Sequence, residues 1–217
     1  MKSKNKRQRG GHRFKKLLQR ILKAGILVNL IGTACGKTHI MTACAGNTCR
    51  SPVGEFYVKS IMRNQTDIGD IFSRGVSVRQ ANSSMAPYSN YFAKEICGNN
   101  EICKREVDEH KSKSLNCEEI ISLIKDPDAI LRIIPMDETT YHKILNILDG
   151  CSLTRKQRNK IIVGLDCNNG ICKRNSGEVP DPFFQQKTPY EHSSYVNMVQ
   201  TVKSALANDF ETCPNYI

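Results

Sequence analysis

Apolar residues along this chain fall into short runs that alternate with longer stretches of helical period. The run THIMTA at 38–43 predicts a short buried strand, and PVGEFYVKSIM at 52–62 predicts a helix opened by Ser51 and Pro52. DIFSRGV at 70–76 predicts a second strand. APYSNYFAKEI at 86–96, with Pro87 near its start, and NCEEIISLI at 116–124, with an acidic first turn, predict helices. AILRIIPM at 129–136 predicts a strongly buried strand and DETTYHKILNIL at 137–148 the helix after it. NKIIVGL at 159–165 predicts a fourth strand, and YEHSSYVNMVQTVKSALANDF at 190–210 a long closing helix. Strands alternating with helices imply a parallel sheet covered on both faces, so the expected fold is α/β: a three-layer αβα sandwich with a central four-stranded parallel sheet. Ligands of such folds sit beyond the carboxyl ends of the strands, where residues 44–51 fall.

Charge divides the chain. Of 32 Lys and Arg against 21 Asp and Glu, residues 1–54 hold twelve basic residues and no acidic one, so the part from Glu55 onward is near neutral, with 20 against 21. The net charge of +11 therefore belongs to a tail, and no nucleic-acid partner is expected. The expected division is a basic N-terminal extension, residues 1–36, and an α/β domain, residues 37–217. Within the extension Phe14, Leu17, Leu18, Ile21 and Leu22 share one face of a basic amphipathic helix. Three readings stay open for it: a solvated extension, a surface for anionic membrane or another polyanion, and a targeting segment with a basic start and a short apolar run. That run, 26–31, is interrupted by Asn29 and too short to span a bilayer.

The ten cysteines have no repeating spacing and no CxxC pair, so mostly unpaired thiols in a reducing, cytoplasmic setting are expected, with targeting as the alternative; neither a metal nor a cofactor is expected. Cys97 with Cys103, and Cys167 with Cys172, are spaced for bridging or metal binding. GTACGKT at 32–38 looks like a phosphate loop of nucleotide-binding proteins, but it has three residues between its glycines where that motif has four, and it precedes a strand.

The chemistry gathers in CAGNTCRSP, residues 44–52. Cys44 ends a strand and Ser51-Pro52 starts a helix, so the backbone between them can curl into a nest of N–H groups at a helix N-terminus, a dianion site. Arg50 adds a fork of donors matched to two phosphate oxygens, and the same positive surroundings favour a Cys44 thiolate. Gly46 allows close backbone approach and Asn47 tolerates the left-handed conformation that such a loop needs.

This segment resembles the active-site signature of the low-molecular-weight protein tyrosine phosphatases, with Cys44, five residues, Arg50 and Ser51 in register. SRG at 73–75 looks like that family's S-A-G, EHKSKSL at 109–115 like its H-K-A-R, PMDETTY at 135–141 like its M-D-E-x-N, and VPDPFF at 179–184 like its D-P-Y-Y. The resemblance covers roughly residues 37–212. It implies that Cys44 attacks phosphorus and forms a phosphocysteine, that Arg50 and the amides of Ala45, Gly46, Asn47, Thr48 and Cys49 hold the phosphoryl oxygens, and that Asp181 is the general acid and then base. It further implies that Ser51 hydrogen-bonds the Cys44 sulfur, that Asn47 and His110 brace the loop, that Phe183 and Phe184 wall the cleft, and that Cys49 forms a protective disulfide with an oxidised Cys44.

Departures from the family pattern raise alternatives. No aromatic residue precedes Tyr88 in VSVRQANSSMAP, where the family often has one. Thr48 resembles the residue that arginine-dephosphorylating members of this fold carry, which brings phosphoarginine beside phosphotyrosine as a substrate group on a protein partner. Arsenate reductase, on the same scaffold, needs two relay thiols that Cys97 and Cys103 are poorly placed to supply. A non-catalytic phosphate-binding module would have no use for Asp181.

Overall fold

A computed structural model describes residues 36–62, 65–164, 166–168 and 171–173. Four parallel strands form the central sheet: β1 (Thr38–Cys44), β2 (Ile68–Gly75), β3 (Ile130–Pro135) and β4 (Ile161–Val163), in the order β2-β1-β3-β4. Strands with neighbours on both sides and helices on both faces read as unbroken apolar runs. β1 and β3 come near that, buried along nearly their whole length but with Thr42 and Arg132 among their buried residues, and β2, at the edge, is only partly buried.

Two-residue periodicity sends alternate side chains of β1 into two separate cores. Ile40 points into one, with Val53, Phe56 and Val58 of α1 (Arg50–Met62), Phe92 and Ala93 of α2 (Pro87–Cys97) and Val107 of α3 (Glu101–Glu109). Met41 and Ala43 point into the other, with Ile120 of α4 (Cys117–Leu123), Leu131 and Ile133 of β3, and Ile144 and Leu148 of α5 (Glu138–Gly150). The architecture is thus the expected three-layer αβα arrangement. Helix α1 lies close on the sheet: a Cβ at Gly54 would stand 2.7 Å from the Met136 methyl and 3.2 Å from Thr42 Cγ2. None of the described helices is long and apolar enough to cross a membrane.

Several elements differ from expectation. Helix α3 was not foreseen, because EICKREVDE is polar apart from Ile102, Cys103 and Val107; Asn100 starts it by accepting from Cys103 N at 2.9 Å. The fourth strand is shorter than NKIIVGL, since Asn159 and Lys160 belong to the turn after the short helix α6 (Arg155–Arg158), whose Thr154 and Gln157 form a capping box. An antiparallel pair, β5 (Asp166–Asn168) and β6 (Ile171–Lys173), sets Cys167 opposite Cys172. The closing helix expected at 190–210 and the extension at 1–35 lie outside the described residues.

The expectation of mostly unpaired thiols fails for four cysteines. Cys97 bridges to Cys103, tying the end of α2 to the start of α3, and Cys117 bridges to Cys151, tying the first residue of α4 to the residue after α5. The second pair is 34 residues apart in sequence, and only the fold brings it together. Closing a loop of that length restricts the unfolded chain by roughly 3–4 kcal/mol. The double variant Cys117→Ser, Cys151→Ser should therefore melt several degrees below the oxidised wild type, and coincident melting curves would show that the bridge adds nothing.

Candidate active site

The loop Ala45–Cys49 joins β1, an inner strand of the sheet, to α1, and its backbone is turned outward by its surroundings. Val76 N donates to Cys44 O at 3.0 Å, Ser77 N to Ala45 O at 2.9 Å, and Ala86 N to Thr48 O at 2.7 Å. His110 Nε2 donates to Asn47 O at 3.0 Å. Four successive or near-successive carbonyls are thereby occupied from outside, which leaves the inside of the curl to amide N–H groups. Asn47 makes the bend with φ of 56°, a left-handed conformation that asparagine tolerates better than most residues. The α1 N-terminus adds its dipole to the same side.

Cys44, 3% exposed, lies at the base of this curl. Its sulfur is 3.0 Å from Ser51 Oγ and receives Asn47 N–H at 3.3 Å. Ser51 is fixed in turn: Thr42 Oγ1 donates to its carbonyl at 2.7 Å, and Asn47 Nδ2 donates to its hydroxyl oxygen at 3.1 Å. Arg50, at the first position of α1, reaches Asp137 Oδ2 at 2.7 Å. Asp137 also caps α5 by accepting from Thr140 N at 2.6 Å. Burial opposes the charge on Asp137, yet the hydrogen bonds from Thr140 and the adjacent Arg50 guanidinium outweigh it and hold the carboxyl below its ordinary value of 3.8.

The structure thus brings Cys44, Asn47, Arg50, Ser51 and His110 together. Ala45 is exposed, and Gly46, Thr48 and Cys49 are half-buried around the curl. Cys44 and Cys49 both carry thiols, and Cys49 Sγ accepts from Ser89 Oγ at 3.3 Å. Asp181, Phe183 and Phe184 lie outside the described residues. Three further residues have structural parts that sequence reading did not assign: Asp137, which holds Arg50, and Ser73 and Glu55, which stand behind Asn47. Asp137 carried a signal, an aspartate between a strand and a helix. Ser73 lay in the SRG stretch that looks like the family's S-A-G, though with no role assigned to it, and Glu55 carried no signal.

No family model and no curated protein matches the sequence. Solved structures do. The chain is similar to Wzb of Vibrio vulnificus, determined with benzylphosphonate, at 21% identity over 81% of this chain and 99% of that one, with a TM-score of 0.54. It is similar to the low-molecular-weight protein tyrosine phosphatase SP-PTP of Streptococcus pyogenes at 20% identity, over 82% and 93%, with a TM-score of 0.53. It is also similar to a mutant of YwlE from Bacillus subtilis, at 23% identity over 81% and 99%, with a TM-score of 0.52; YwlE is described elsewhere among these structures as an arginine phosphatase. At such identities the likeness is one of fold.

The ion pair at the mouth has a pH signature. A carboxyl held below its ordinary value stabilises the native state fully above that value and loses its contribution as pH falls through the lower native one. Asp137→Asn keeps a capping side chain but removes the charge. Its melting temperature should lie below that of wild type at pH above about 5, and the gap should narrow as pH falls below the ordinary carboxyl value of 3.8 and through the lower native one. A gap that stays constant across that range would remove the ionised carboxylate from the account.

Proposed function

We propose that this chain, which has the fold of the low-molecular-weight protein tyrosine phosphatases, is a cysteine-dependent phosphomonoester hydrolase acting on phosphorylated proteins, with phosphotyrosine as the preferred group. The observation that carries the reading is the curl itself: a cysteine at the end of an inner strand, loop carbonyls bonded outward, and an arginine at the first position of the following helix. Cys44 attacks phosphorus in line as the ester oxygen leaves, giving a phosphocysteine. Arg50 and the loop amides hold the equatorial oxygens as charge develops on them. Asp181 gives its proton to the leaving oxygen and then takes one from the water that cleaves the thiophosphate. Ser51 stabilises the sulfur when it is nucleophile and again when it is leaving group.

A second reading, hydrolysis of phosphoarginine, is favoured by Thr48 at the curl and by the fold shared with the arginine phosphatase YwlE. Arsenate reduction is disfavoured, since Cys97 and Cys103 precede His110 and the segment PMDETT, from the last residue of β3 onward, holds no cysteine that could serve as a relay thiol. For residues 1–36 the proposal remains an extension that targets the protein or meets an anionic membrane. Disulfides persist mainly in oxidising compartments, so Cys97–Cys103 and Cys117–Cys151 favour targeting over a cytoplasmic location.

The purified full chain, assayed on phosphotyrosine, phosphoserine and phosphoarginine peptides, should release phosphate from the first most rapidly. Cys44→Ser should abolish that release while vanadate still binds, because the amides and Arg50 remain. Residual turnover near the wild-type rate would place the nucleophile elsewhere. Asp181→Asn should lower the rate by roughly 10² to 10⁴ on esters with poor leaving groups and much less on an ester of an acidic phenol. Equal losses on the two would exclude Asp181 as the acid.

A further inference from the structure

Behind the curl a chain of hydrogen bonds runs away from the nucleophile to a carboxylate. Its hydrogen positions follow from chemistry. Lys113 N is a backbone N–H and can only donate, so the atom of Asn47 that it meets at 2.9 Å is the amide oxygen. The amide nitrogen therefore faces the two serines, donating to Ser51 Oγ at 3.1 Å and to Ser73 Oγ at 2.8 Å. Both hydrogens of Nδ2 are then used, and each serine must send its own hydrogen elsewhere. Ser73 Oγ, in a residue only 1% exposed, donates to Glu55 Oε2 at 2.6 Å. Ser51 has the Cys44 sulfur at 3.0 Å and the Arg74 carbonyl at 3.4 Å, and the nearer acceptor is the sulfur.

Glu55 has two oxygens for two donors. Its Oε2 takes the Ser73 hydroxyl, and its Oε1 takes Lys59 Nζ at 2.8 Å. Lys59 is also 3.4 Å from Glu106 of α3. Arg74, next to this group, is occupied by Glu119 and by the Ser73 carbonyl at 2.6 Å. Glu55, Ser73 and Lys59 line a recess of about 420 Å³ that His110 and Lys113 also border.

From this geometry we infer that Glu55 is a positioning residue: by accepting the Ser73 hydroxyl it keeps the Asn47 amide in register, and so aims the Ser51 O–H at the Cys44 thiolate. Without an acceptor the Ser73 hydroxyl is buried and unsatisfied. Asn47 loses a fixed partner, and Ser51 is released toward the Arg74 carbonyl. The inference rests on the reading of Cys44 as the nucleophile, and its sign is distinctive. Glu55 is negative, so its loss through space alone favours a thiolate. Loss of the hydrogen-bond chain disfavours one.

The test is the pH dependence of iodoacetamide alkylation of Cys44, followed by mass spectrometry of its peptide in the full chain, which needs no turnover. In Glu55→Gln one oxygen is left for two donors, and the alkylation midpoint should rise by about one pH unit, the scale of a weakened hydrogen bond to a charged group. Adding Lys59→Met frees that oxygen for Ser73 and should return the midpoint toward wild type. A midpoint in Glu55→Gln that is unchanged or lower, or one that Lys59→Met does not restore, overturns the inference. If Glu55→Gln does not fold, Ser73→Ala cuts the same link and must show the same rise; no rise there overturns the inference equally. A rise without phosphate-ester hydrolysis by wild type would sink the proposed function and leave the role of Glu55 standing.

Discussion

A loop can hold an anion only if its carbonyls are kept out of the way. Every amide carries a donor and an acceptor, and a short curl between strand and helix would otherwise present both to its interior. Here the acceptors of Cys44, Ala45, Asn47 and Thr48 are bonded by Val76, Ser77, His110 and Ala86, which come from the segments after β2 and α3. Much of the architecture serves that constraint. β2 must pair beside β1 for Val76 and Ser77 to arrive at the correct height, and Gly75 is itself held by Lys113 and Leu115. The position of β1 inside the sheet is what lets neighbours approach the loop from several directions.

Asn47 concentrates the consequences in one residue. Its backbone takes the left-handed bend and its N–H meets the sulfur. Its carbonyl is held by His110, and its side chain joins Lys113, Ser51 and Ser73. All of this occurs in a residue with no exposed surface. Few residue types can take positive φ and supply both a donor and an acceptor. Alanine would lose the bonds, and glycine would keep only the bend.

How much of this was legible in the sequence depended on distance along the chain. Cys44, Arg50 and Ser51 lie within eight residues, so an anion-binding loop could be read from their types and spacing, whereas the bond from Ser51 to the sulfur was expected only from the family resemblance. The strands were legible because β1 and β3 are short, mostly apolar runs bounded by polar segments. Ser73 and Glu55 were not, because their meaning arises from contacts across 26 and 18 residues that only strand pairing creates. Helix α3 was hidden by its polarity, since it buries little beyond Cys103 and Val107. The Cys117–Cys151 bridge was invisible for the same reason as the Ser73 contacts, whereas Cys97 and Cys103, six apart, were recognisable as a potential pair.

The close seat of α1 on the sheet has a kinetic consequence. With Gly54 against Met136 and Thr42, the helix has no room to slide, and five residues joining it to a fixed strand have little freedom of their own. The conformational entropy of the curl is lost when the protein folds rather than when an anion arrives. Under the proposed function an incoming dianion would meet a curl already bent to receive it, and would compete with Asp137 for the Arg50 guanidinium. Association would then be governed by diffusion and local charge, and the lifetime of the complex by how strongly Asp137 competes for the guanidinium.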